Sequence, residues 1–120
     1  MKKIMLVLAL LSFALQSQAE PKEKDFIGSW RYKVETDQGD LTGTFTIEKE
    51  EGTLIGRVNT DDGETFDFSK IELPEKNVLY MELDTGYEVL ELTLNLKGKK
   101  LEGTVESGGG SFPLIAEKLD

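Results

Sequence analysis

The chain has no cysteine and no histidine. Without imidazole or thiolate it lacks the commonest bases and nucleophiles of neutral-pH catalysis, and the usual ligands of zinc or haem. No disulfide can form, so stability has to come from packing even in an oxidising compartment. Positive charge is also scarce. Fourteen lysines and arginines stand against 23 aspartates and glutamates, and only Arg31 and Arg57 carry a guanidinium group. The formal charge of −9 repels phosphate backbones and anionic lipid, which argues against nucleic-acid and membrane-surface roles. The same charge supports solubility. At 120 residues there is room for one domain.

The one long apolar run is at the start. Met1-Lys2-Lys3 is a short basic segment, Ile4 to Leu15 is nearly unbroken apolar, and Ser17 and Ala19 form a small-x-small pattern before Glu20. This is the layout of a signal peptide, and the run is too short for a transmembrane helix, which needs about 20 such residues. Residues 1–19 are therefore expected to be removed, leaving a mature charge of −11 because Lys2 and Lys3 go and no acid does. The Lys-Lys start is bacterial in style and places the mature protein in the periplasm or outside the cell, with no membrane attachment after cleavage. Residues 20–27 read as a polar leader in which Phe26 packs, and residues 28–120 as a single domain.

From Gly28 onward no window holds a helical period. Apolar and polar residues alternate instead, with glycine and acidic turn clusters every eight to twelve residues. Trp30, Tyr32 and Val34 share a parity, as do Leu41, Gly43, Phe45 and Ile47, then Leu54, Gly56 and Val58. Asp61-Asp62-Gly63 is a hairpin signal. Phe66 and Phe68 sit on one parity and Ile71 and Leu73 on the other, so a bulge near Ser69-Lys70 is needed to bring both pairs to one face. Leu79, Met81 and Leu83 follow, then the Leu90 to Leu96 alternation, then Leu101, Gly103 and Val105, and last Phe112, Leu114 and Ala116.

Eight strands with short connections pair antiparallel with their neighbours. Closure into an up-and-down β-barrel buries the single apolar face and removes the edges. A two-sheet β-sandwich is the alternative, but it usually needs longer crossovers. The pattern Leu-x-Gly-x-(Phe or Val) recurs at Leu41, Leu54 and Leu101, and its glycines Gly43, Gly56 and Gly103 read as bend points or sites of close approach.

Gly28-Ser29-Trp30 on the first strand of eight resembles the Gly-x-Trp signature of the calycin group, which includes lipocalins and fatty-acid-binding proteins. The resemblance implies that Trp30 plugs the closed end of the barrel. It also implies a basic residue from the chain end packed across the indole, for which Lys118 has the matching parity. The chain is shorter than a typical lipocalin, and the second and third lipocalin motifs are not evident.

Inward positions are almost all large and apolar, while Arg31 and Arg57 fall on the outward parity. A buried charged ligand would have nothing to offset its desolvation. Two non-catalytic readings follow. In one, a small apolar molecule sits at the open end against Tyr32, Phe66, Phe68, Met81 and Leu92. In the other, strands lined this heavily leave a solid core, and function is displayed outside as a protein-interaction or inhibitor module. Asp61, Asp62, Glu64 and Asp67 crowd one hairpin, but their spacing is not that of a calcium loop, and no metal or cofactor is expected. Ser29, Ser69, Ser107 and Ser111 lack a histidine base, and a monomer without catalysis is expected. If Trp30 is the plug, Trp30→Ala should cost about 3–5 kcal/mol, measured by urea unfolding, as loss of a large buried aromatic does. A loss below about 1 kcal/mol would mean an exposed indole.

Overall fold

The computed structural model describes residues 23–119. The segment read as a signal peptide, residues 20–22 of the leader and Asp120 lie outside the described residues. Eight strands follow in chain order: β1 (Gly28–Thr36), β2 (Gly39–Glu50), β3 (Thr53–Thr60), β4 (Thr65–Glu75), β5 (Val78–Asp84), β6 (Val89–Lys97), β7 (Lys100–Ser107) and β8 (Gly110–Lys118). Each pairs antiparallel with the next. β1 also pairs with β8, from Trp30 opposite Lys118 to Val34 opposite Leu114, and this closes the barrel. A sandwich would leave those two strands in open sheets, so the closure decides between the two architectures.

The turns explain why neighbours pair so tightly. Thr36 faces Gly39 and Glu50 faces Thr53, leaving two-residue connections. In the second, Glu51 and Gly52 have φ of 51° and 81°, the pair of left-handed residues whose twist matches that of the flanking strands. On β4 the register shifts between Phe68 and Lys70, at the position the parity change requires. The extra residue keeps Phe66, Phe68, Ile71 and Leu73 all packed against the core. A second irregularity between Glu72 and Glu75 surrounds Pro74, which has no N–H to give to a ladder.

The lower half of the barrel is solid. Trp30, Ile47, Leu79, Met81, Leu94, Leu101 and Ala116 are fully buried there. Below them a short 3-10 turn, Glu23–Asp25, brings Phe26 in as a lid, and the Trp30 indole N–H donates to the Phe26 carbonyl at 3.0 Å. Lys118 Nζ lies 5.6 Å from the Trp30 ring centre and donates to the Asp25 carbonyl at 3.3 Å. The ammonium therefore sits against the electron-rich face of the indole while one of its N–H groups donates to backbone. Phe45 carries the aromatic packing upward, 6.3 Å from Trp30, 6.1 Å from Tyr32 and edge-on to Phe68 at 6.1 Å.

The three mid-strand glycines are sites of close approach. A Cβ at Gly43 would lie 2.5 Å from both the Tyr32 hydroxyl and the Asn59 carbonyl oxygen, and one at Gly56 would lie 2.9 Å from the Phe68 ring and from the Thr46 carbonyl oxygen. Gly43 is the direct cross-strand partner of Tyr32, so the tyrosine ring lies over the space a side chain would fill. At Gly103 the obstruction is backbone: the Thr93 carbonyl oxygen and the Leu94 Cα. A rotamer change cannot relieve that clash. Gly103→Ala should therefore destabilise by at least about 1–3 kcal/mol in chemical denaturation, in the range of overpacking penalties. A neutral result would show that β6 and β7 can slide apart at this point.

Candidate functional site

Antiparallel order puts alternate hairpins at one end. The β1–β2, β3–β4, β5–β6 and β7–β8 connections ring the end away from Trp30. Between them opens a cavity of about 590 Å³. Its walls are Tyr32, Val34, Phe45, Val58, Phe66, Phe68, Leu83, Leu90, Leu92, Val105, Phe112 and Leu114. Its rim carries Thr36, Asp40, Leu41, Thr42, Thr60, Asp61, Asp62, Glu64, Thr85, Glu88 and Ser107.

Of the two readings the sequence left open, this favours the open interior over the solid core. Side-chain size is distributed unevenly along the barrel axis. Tryptophan, isoleucine and leucine fill the plugged end, whereas Val34, Val58 and Val105 stand at the upper level. Phe66, Phe68, Leu90 and Phe112 at that level are only partly buried, and the upper interior is open. Alternation along a strand tells which side chains point inward; it does not tell how much space they leave once the strands tilt.

Of the residues singled out in the sequence, Tyr32, Phe66, Phe68 and Leu92 come together on the cavity wall. Met81 does not. It is fully buried between its cross-strand partners Ile71 and Leu92, and neither Met81 nor Ile71 reaches the cavity. Leu41, counted on the inward parity, stands 60% exposed at the rim. Sequence reading missed Phe112 and the three valines as wall residues, and Asp40 and Glu88 as mouth residues. Their signal was available in principle, since every second turn belongs to one end of an up-and-down barrel.

Both arginines point outward and are paired. Arg31 donates to the two Asp61 carboxylate oxygens at 2.7 and 2.5 Å, and Arg57 donates to Asp67 at 2.9 Å. Asp61 also accepts from the Thr42 hydroxyl at 2.6 Å. The Glu88 carboxylate accepts from the Gly108 backbone N–H at 3.1 Å, tying two mouth loops together. The Tyr32 hydroxyl is driven to a higher pKa first by burial and then by the negative charge of Asp61. Among the described residues no three carboxylates gather as a metal ion would require. Tyr80 lies outside the barrel, its hydroxyl 2.6 Å from Glu82 and 2.7 Å from Glu91, and these bonds raise its pKa, away from what a base would need.

The Arg31 and Thr42 hydrogen bonds hold the Asp61 carboxyl at about 2, below its ordinary 3.8. A depressed folded-state value means that whatever stability this exposed pair adds is in place above about pH 4. It is lost as pH falls through about 2. Carbon-13 NMR titration should give a midpoint near 2 for Asp61, and Arg31→Gln should move that midpoint up toward 3.8. An unmoved midpoint would mean that Arg31 is not its cause.

By sequence the chain matches no protein-family model and no curated protein. By structure it is similar to a redesigned β-barrel, with TM-score 0.67 and 12% identity over 81% of this chain and 94% of that one. It is similar to a second redesigned barrel, mFAP1 bound to DFHBI, with TM-score 0.60 and 10% identity over 80% and 96%. It is also similar to a Schistosoma mansoni fatty-acid-binding protein in complex with arachidonic acid, with TM-score 0.55 and 12% identity over 80% and 97%. At these identities the likeness is one of fold. The chain folds as a closed, eight-stranded, up-and-down β-barrel plugged at one end, and in fold it is similar to these barrels.

Proposed function

We propose that this protein is a non-catalytic binder of a small, largely apolar molecule held inside the barrel, acting in the periplasm or outside the cell. The observation that carries the reading is the cavity: about 590 Å³, walled almost wholly by aliphatic and aromatic side chains and open at the mouth. That size lies within the usual range of ligand pockets, and its chemistry is that of an apolar guest oriented by a few polar groups. Tyr32, Phe66, Phe68 and Leu92 are the residues we assign to contact it. Support comes also from two barrels of the same fold whose names record a bound small molecule, arachidonic acid in one and DFHBI in the other. The sequence supports the absence of catalysis through its lack of histidine and cysteine. The apolar run and small-x-small pattern of residues 1–19 support export.

The neutral hydrophobic dye N-phenyl-1-naphthylamine tests this reading. Its fluorescence should rise on addition of the protein, saturating at one site with a dissociation constant on the order of micromolar, about −8 kcal/mol. Val105→Phe, which adds a ring opposite Phe112 and Leu92, should weaken the dye at least about tenfold while circular dichroism shows the sheet intact. Saturable dye binding that ignores this substitution would place the site elsewhere and defeat the proposal.

A further inference from the structure

The residues around the cavity include five acids, Asp40, Asp61, Asp62, Glu64 and Glu88, and no lysine or arginine. Arg31 is the nearest guanidinium on β1, but it faces outward and is spent on Asp61. Among the described residues the other four mouth acids form no salt bridge. A carboxylate-headed guest would therefore bring a negative charge into a low-dielectric mouth already negative on several sides, with no cation to meet it.

A second polar feature points into the same space. Tyr32 is 9% exposed, lines the cavity, and its hydroxyl has no hydrogen-bond partner among the described residues. The hydroxyl is open to the cavity, where a water or a ligand can complete it. Its pKa is raised, first by burial and then by the Asp61 charge, with Arg31 opposing, so it stays a neutral O–H.

We infer that the occupant is an amphiphile with a cationic head, its apolar body inside the barrel and an ammonium- or amidinium-type group held between the mouth carboxylates and the Tyr32 hydroxyl. This rests on the cavity reading above and deepens it by naming the charge class of the guest. The selectivity is the reverse of that expected of a site for fatty-acid carboxylates.

Displacement of bound N-phenyl-1-naphthylamine separates the two claims. Failure of the dye to bind overturns the cavity reading itself. With the dye bound, decyltrimethylammonium should displace it at a concentration at least about tenfold below that of sodium decanoate in 10 mM salt, and the gap should shrink in 500 mM salt, where the screening length falls to a few ångströms. The triple variant Asp62→Asn, Glu64→Gln, Glu88→Gln should lose most of the preference. A variant with the same charge change at the plugged end, Glu50→Gln, Glu75→Gln, Glu117→Gln, should keep it. Decanoate competing as well as the cation in the wild type would overturn the inference. So would a preference that the closed-end variant loses as fully as the mouth variant, which would reduce it to net charge.

Discussion

Closure of β1 onto β8 is the constraint on which the rest of this molecule depends. Without it, eight short amphipathic strands would leave two unpaired edges and an apolar face with nothing to cover it. With it, every second side chain points at one axis and water is excluded from half the barrel. The seam is sealed by a compact set of contacts. Trp30 lies directly opposite Lys118, the ammonium sits on the indole, and the indole N–H and the lysine each find a carbonyl in the turn that carries Phe26. One cluster thus joins the beginning and the end of the described chain, 93 residues apart in the Lys118–Asp25 bond. In a protein with no cysteine it does the work of cross-linking by packing and hydrogen bonding.

The plug also explains why the barrel can be solid and hollow at once. Trp30, Ile47, Leu79 and Leu101 are fully buried at the plugged end, whereas Phe66, Phe68 and Phe112 on the upper wall are only partly buried. That core stabilises the fold whatever happens above it. The upper half can then keep three valines and partly buried aromatics and leucines around a void. Dense packing and open space are divided along the barrel axis, with Phe45 and Phe68 at the boundary, in contact with both.

Charge is divided in the same way. Cations are used on the outer wall or at the plug: Arg31, Arg57 and Lys97 in cross-strand pairs, Lys49 against Glu23, and Lys118 on Trp30. Such exposed pairs add little to stability individually. Their consequence for the site is indirect: Arg31 takes up Asp61, and Asp40, Asp62, Glu64 and Glu88 of the open-end turns form no salt bridge among the described residues. Hairpin chemistry reinforces this, because aspartate and glycine suit the tight turns that happen to ring the opening.

The strands, their order and the β4 bulge were legible from residue spacing, because alternation and turn chemistry are local and the period of two admits few readings; the Trp30 plug came from the Gly-x-Trp resemblance. Phe66 and Phe68 against Ile71 and Leu73 could be reconciled only by one extra residue, and that is where the register shifts. The cavity was not legible, nor was the exclusion of Met81 from its wall. Those depend on strand tilt, on the height at which each inward residue meets its neighbours around the ring, and on how far Tyr32 leans over Gly43. Parity assigns a side chain to the inside; only the closed barrel assigns it a level. Because free volume is a property of levels and not of strands, tertiary structure alone could decide that this interior has room for a guest.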